Sequence, residues 1–143
     1  MSVVERERVA RHMSALQEAV DGLRTRSDRT VGDLERDRDL RWIVCQGLLL
    51  AVSNVLDVGT HLCTSLGRPP DQYRDIGPTL VALGVLEPDL GERIASMAGF
   101  RNILVHGYIA LNLVLVVGAL HQLDDFTAFA LAVATFLDAN PDL

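Results

Sequence analysis

The chain contains no lysine; all 13 of its basic residues are arginine. This reads mainly as codon bias, with a weak hint of bidentate phosphate recognition through the fixed fork of arginine donors. Aromatic residues are scarce, at 5% against 49% hydrophobic residues in total. The core must therefore be built from Leu, Val, Ala and Ile, which favours helix on helix over a sandwich. Of the two cysteines, Cys45 and Cys63 fall 18 positions apart on one expected helix. At 1.5 Å per residue that is ~27 Å, too far for a disulfide. Both read as small buried hydrophobes in a reducing cytosol, so a cytoplasmic location is expected. No Gly-rich phosphate loop, G-x-S-x-G elbow or dinucleotide fingerprint is present, so no cofactor is expected. The histidines at 12, 61, 106 and 121 show no HxxxH spacing, and there is no CxxC, so no metal set is expected.

Basic charge is also in short supply. Nineteen acids against 13 arginines leave a formal net charge of −6. A general nucleic-acid coating protein would be basic, so non-specific electrostatic binding is not expected. Residues 1–41 hold nine Arg and nine acids, whereas residues 42–143 hold four Arg and ten acids. Any phosphate site in the second part must rest on a few placed arginines. The N-terminal Arg6, Arg8 and Arg11 alternate with Glu5 and Glu7 and read as a solvated face. The opening Met1–Ser2–Val3–Val4–Glu5–Arg6 has no apolar run, so no signal peptide is expected. Residues 103–120 are apolar but interrupted by His106, Gly107, Tyr108 and Asn112, which argues against a membrane span. A length of 143 residues suits one domain with a real core.

Helical periodicity organises the chain. Val9, Met13, Leu16, Val20 and Leu23 form the seam of a first amphipathic helix. Residues 24–39, with Gly32, read as a polar turn. A second helix is expected from Asp39 to Leu66, and between Trp42 and Gly67 its only formal charge is Asp57. A helix so apolar all round should be covered on most sides, by neighbours and by a subunit partner. Gly67–Arg68–Pro69–Pro70 ends it. A short third helix fits Asp71 to Leu83, with Gly84 as its stop. Pro88 opens a fourth helix ending near His106. Asn112 caps a last helix over 113–138, with a seam at 113, 116, 120, 123, 130, 133 and 137. Strand-like alternation is absent. The expected fold is all-α: an antiparallel four-helix bundle with a short extra helix.

Arg101–Asn102–Ile103–Leu104–Val105–His106–Gly107–Tyr108 is the most informative stretch. Leu90, Ile94, Met97, Arg101 and Leu104 share one helix face, so Arg101 occupies a slot that calls for leucine. Burying it unpaired would cost ~1–3 kcal/mol or more. His106 lies five residues on, ~140° around an ideal helix. A helix end near His106 could bring the two together, and Gly107 is a candidate terminator. RNA cleavage by internal transesterification needs a base, an acid and a cation. Histidine suits the first two roles and arginine the third. One histidine is too few, but a twofold dimer supplies two. The plainer alternative is a core Arg–His pair satisfied by backbone carbonyls or an acid. Asp57 and His61 are spaced i, i+4, with Asn54 one turn earlier. They either orient Arg101 or His106, or form a hydrogen-bonded buried set.

These residues resemble a known family. Arg101-x-x-x-x-His106-x-Tyr108 is similar to the R-x4-H-x-Y motif of HepT-like toxins in the HEPN superfamily. Asp57–Val58–Gly59–Thr60–His61–Leu62, Arg68–Pro69–Pro70, Tyr73–Arg74, Leu83–Gly84–Val85–Leu86 and Met97–Ala98–Gly99–Phe100–Arg101–Asn102 extend the resemblance over residues 4–138. It implies an all-helical homodimer acting as a metal-independent endoribonuclease on RNA, with its cleft at the dimer interface. It assigns Arg101, His106 and the polar Asn102 to catalysis. Its implied partner is a minimal nucleotidyltransferase antitoxin that transfers AMP from ATP to Tyr108. One departure stands out: where the family often carries an acid, this chain has Ile109–Ala110–Leu111–Asn112–Leu113. That apolar run points to a tighter dimer or an altered RNA entrance. The rival function is a non-catalytic helical dimer that holds a nucleotidyltransferase or a nucleotide.

Overall fold

Short capping motifs start most of the helices. In the computed structural model, which describes residues 1–106 and 111–143, α1 spans Val3–Arg24. The Ser2 hydroxyl accepts from Glu5 N at 3.1 Å while the Glu5 carboxylate accepts from Ser2 N. This reciprocal box satisfies two donors that a helix start leaves open. Thr30 and Asp33 repeat it at α2, Val31–Arg36. The polar 24–39 stretch thus contains a short helix where a plain turn was expected. Asp37 then caps the 28-residue α3, Arg38–Ser65.

The expected third helix is divided: a 3₁₀ turn, Tyr73–Asp75, leads into α4, Ile76–Ala82. The fourth expected helix is α5, Pro88–His106, with the expected ends. Gly67 (φ +83°) and Gly84 (φ +79°) sit in the left-handed region that lets a chain leave a helix sharply.

The expected single last helix is corrected. Residues 113–138 form α6, Leu113–Leu120, and α7, Asp124–Ala139, inclined at 52°. Asn112 caps α6 as expected, accepting from Val114 N at 3.1 Å. The burial pattern continues across the break through Val116, Leu120, Leu123 and Val133, so periodicity alone could not reveal it. Tertiary ion pairs meet α7 at its start: Arg24 reaches Asp124 at 3.1 Å and Arg93 reaches Asp125 at 2.8 Å. Both acids lie in the first turn of α7, where the helix dipole favours negative charge.

Among the described residues the fold is all-helical, and α3 is its centre. It packs on α1 along most of its length and also meets α2, α4, α5, α6 and α7. Its buried side includes Val44, Leu48, Val52, Val55, Leu56, Val58 and Leu62. Coverage is less complete than its composition suggests, since Trp42 (62% exposed), Ile43 and Leu50 remain at the surface. Among the described residues α3 is also the one helix long and apolar enough to cross a bilayer, and half of that stretch is buried within the fold. The α4–α5 pair is closer still: a Cβ on Gly77 would fall on the Gly91 carbonyl oxygen. This contact, and the 3₁₀ turn against α5, lock the second half of the fold around the residues of interest.

Candidate active site on the fifth helix

The buried stripe of α5 is Leu90, Gly91, Ile94, Met97 and Ala98. It stops there. Arg101, one turn further, is only partly buried, so the expected arginine in a core slot is corrected. The last turns of α5 run beyond the densest packing, and what covers Arg101 is Tyr73. The Arg101 guanidinium carbon lies 5.5 Å from the centre of the Tyr73 ring. A delocalised guanidinium over an aromatic face keeps its in-plane N–H donors free for an anion.

Asn102 and His106 are both exposed. The helix remains regular through His106, so Arg101 and His106 stay ~140° apart around its axis and ~7.5 Å apart along it. Tyr108 and Gly107 lie outside the described residues.

Asp57, His61 and Asn54 gather elsewhere, between α1 and α3, around a residue the sequence reading passed over. His12 Nδ1 lies 2.8 Å from Asn54 Oδ1 and 4.0 Å from Asp57 Oδ2. The His12 and His61 rings are 6.1 Å apart between centres. Asn54, 8% exposed, also donates to the Leu50 carbonyl at 2.8 Å. Among the described residues no hydrogen bond or ion pair joins Asp57 to His61, or any of this group to Arg101 or His106. The i, i+4 spacing permitted an Asp57–His61 contact; the neighbouring helix supplied a nearer partner for Asp57. His12 was legible in principle: it stands three after Val9 and four before Leu16, on the α1 seam. Tyr73 entered the sequence reading only as part of the family resemblance, because a connector residue carries no periodicity to mark it as a site residue.

The cysteines play no part here. Both are free thiols; Cys63 is buried and Cys45 partly so. Among the described residues, no group of three or more His, Cys, Asp or Glu is arranged to hold a metal ion.

The fold has close structural relatives. A tri-AMPylated HEPN toxin of Shewanella oneidensis, solved in complex with an MNT antitoxin, aligns with a TM-score of 0.79 and 22% identity, over 94% of this chain and 99% of that one. A toxin–antitoxin structure containing AMP-PNP aligns with a TM-score of 0.78 and 21% identity, over 93% and 99%. YutE, a cytosolic Bacillus subtilis protein of unknown function, aligns with a TM-score of 0.75 and 17% identity, over 94% and 92%. These likenesses establish a shared fold. No curated protein matches the sequence. A model of the HepT-like ribonucleases matches residues 16–133, well over half of the chain, and the chain therefore belongs to the HepT-like ribonuclease family.

Proposed function

We propose that this protein is the toxin of a toxin–antitoxin pair, an endoribonuclease acting through Arg101, Asn102 and His106 in a cleft between two copies of the chain. The observation that carries this reading is the end of α5: an exposed His106 five residues beyond an aromatic-backed Arg101, in a chain of a ribonuclease family. Because the two side chains diverge on one helix, a twofold pair gives the better site, with two imidazoles and two guanidiniums.

The chemistry then follows. The imidazole of one His106 takes the proton of a ribose 2′-hydroxyl, and that oxygen attacks the adjoining phosphorus. The bond to the 5′-oxygen breaks, and a protonated His106 of the partner subunit supplies the proton that the leaving oxygen needs. Arg101 carries the charge that builds on the phosphoryl oxygens, with the Asn102 amide beside it. The products are a 2′,3′-cyclic phosphate and a free 5′-hydroxyl, and no step requires a metal.

Neutralisation is assigned to a nucleotidyltransferase antitoxin. The Tyr108 hydroxyl attacks the α-phosphorus of ATP and pyrophosphate leaves, so that Tyr108 carries AMP. The AMPylated state of the Shewanella oneidensis toxin supports this reading. Bulk and negative charge two residues from His106 would occupy the place of an RNA phosphate.

The test is cleavage of RNA by the purified protein. His106→Ala should lower the rate ~10²–10⁴-fold with helical content unchanged, and Arg101→Ala should act similarly. Chelators should have no effect. Equal cleavage by wild type and His106→Ala would refute the assignment, and a wild type that cuts no RNA would leave the non-catalytic dimer.

A further inference from the structure

Tyr73, which backs Arg101, also lines a cleft of about 460 Å³ with Gln72, Arg74, Ala98, Gly99 and Asn102. Its floor is small: Ala98 and Gly99 of α5, where a Cβ added to Gly99 would meet nothing within 4 Å. Its walls are Tyr73, which is 43% exposed, with Gln72, Arg74 and Asn102. The turn that presents them is fixed, since Asp75 N donates to the Gln72 carbonyl at 3.0 Å and the Asp75 carboxylate accepts from Gln72 N at 3.1 Å.

Charge makes the placement informative. Residues 42–143 contain only four arginines, Arg68, Arg74, Arg93 and Arg101. Arg93 is held by Asp125 at 2.8 Å. Of the rest, Arg74 lines this cleft and Arg101 lies over its aromatic wall. Among the described residues Arg74 forms no ion pair. Two of the four arginines in this acidic part of the chain thus lie beside an exposed tyrosine, with Gln72 and Asn102 at the same cleft. That combination suits an unpaired nucleotide: a π face for the base, amides for its edge, a cation for its phosphate.

We infer that this cleft seats the nucleotide adjoining the scissile phosphate of single-stranded RNA, with the base on Tyr73, the Gln72 and Asn102 amides at its edge and Arg74 on its phosphate. Tyr73 is also a positioning residue, because its ring lies against the Arg101 guanidinium, 5.5 Å from its central carbon. The inference rests on the ribonuclease reading for what lies next door, and it adds a binding site with its own consequences. A base already paired in a duplex cannot lay its face on Tyr73, so strand state is discriminated here.

Affinity for a short single-stranded RNA is measured by fluorescence anisotropy, in a His106→Ala background so that the RNA stays intact. Tyr73→Leu should weaken binding roughly tenfold, while Tyr73→Phe, which keeps the ring, should stay within about twofold. Arg74→Gln should reduce the slope of log affinity against log salt by about 0.7, the loss of one single-strand phosphate contact. Arg93→Gln, away from the cleft, should leave affinity unchanged, and the same sequence as a duplex should bind more weakly. In the cleaving protein, Tyr73→Leu should raise KM and lower kcat, and Tyr73→Phe should rescue both. Unchanged affinity and KM in Tyr73→Leu and Arg74→Gln, with wild-type cleavage intact, would overturn the cleft and spare the ribonuclease reading. Loss of RNA affinity in those variants, with a wild type that cuts nothing, would do the reverse. Loss of antitoxin binding with RNA affinity intact would assign the cleft to a protein partner and overturn the inference.

Discussion

His12 donates its Nδ1 proton to Asn54 Oδ1 across 2.8 Å, and the surroundings of Asn54 decide that direction. The Asn54 amide nitrogen already donates to the Leu50 carbonyl, so its oxygen must face His12. A flipped amide would set oxygen against oxygen at Leu50. In its neutral form His12 is therefore the Nδ1–H tautomer, with Nε2 left as the base.

A stability cycle follows from that pair. His12→Ala leaves the oxygen of the 8%-exposed Asn54 unpaired and should cost about 1–3 kcal/mol in urea unfolding. In the Asn54→Leu background the same change should cost much less. Additive effects in the double variant would show that the bond contributes no coupling.

Backbone contact between α4 and α5 admits no side chain. Gly77→Ala should destabilise severely, because the methyl would meet the Gly91 carbonyl oxygen, which cannot rotate away. Gly99→Ala has open space and a helical backbone, and should stabilise by about 0.5–1 kcal/mol. Thermal unfolding separates the two, and a Gly77→Ala protein with wild-type Tm would contradict the packing.

The apolar surface of α3 bears on assembly. Trp42, Ile43 and Leu50 are 62%, 47% and 48% exposed. A dimer that uses α3 and α5 is expected in solution at micromolar concentration, since such a surface is unusual for a monomer. Leu50→Arg should shift the mass by light scattering towards the monomer and reduce RNA cleavage with it. A wild-type monomer at that concentration would remove the composite site.

Tyr108 is expected to be the handle for regulation. Tyr108→Phe should keep nuclease activity and escape neutralisation by the nucleotidyltransferase. Intact mass after co-expression should show AMP additions on the wild type and none on Tyr108→Phe. The same additions on both would take Tyr108 out of this role.

The cysteines set an alkaline limit. Burial pushes the Cys63 thiol up to about 11, and burial also raises Cys45 against the opposing effect of Arg41. The folded state thus disfavours the thiolate, while unfolded thiols ionise near ~8.5. Stability should be unaffected by these groups below that pH and should fall as pH rises from there towards 11. Replacing Cys63 with Ala should flatten this alkaline decline; an unchanged slope would show that the thiol is not its source.

Local signals in the sequence were enough for the helical class and most element ends. The seam of α1, the apolar run of α3, Pro88 at the start of α5, Asn112 before α6 and the stop at Gly84 all act within a few residues, so spacing and composition reveal them. The motif from Arg101 to Tyr108 was legible for the same reason. Long-range contact decided the rest. After the break between α6 and α7, the first turn of α7 meets Arg24 and Arg93, distant in sequence, and burial periodicity runs through the break unchanged. The α4–α5 approach depends on two glycines meeting across a gap of 14 positions. His12 joined Asn54 and Asp57 only because α1 folds back on α3, and Tyr73 came to lie beside Arg101 only because the connector packs on α5. Periodicity reports which face of a helix is apolar. Which polar groups from other elements meet that face depends on how the helices pack.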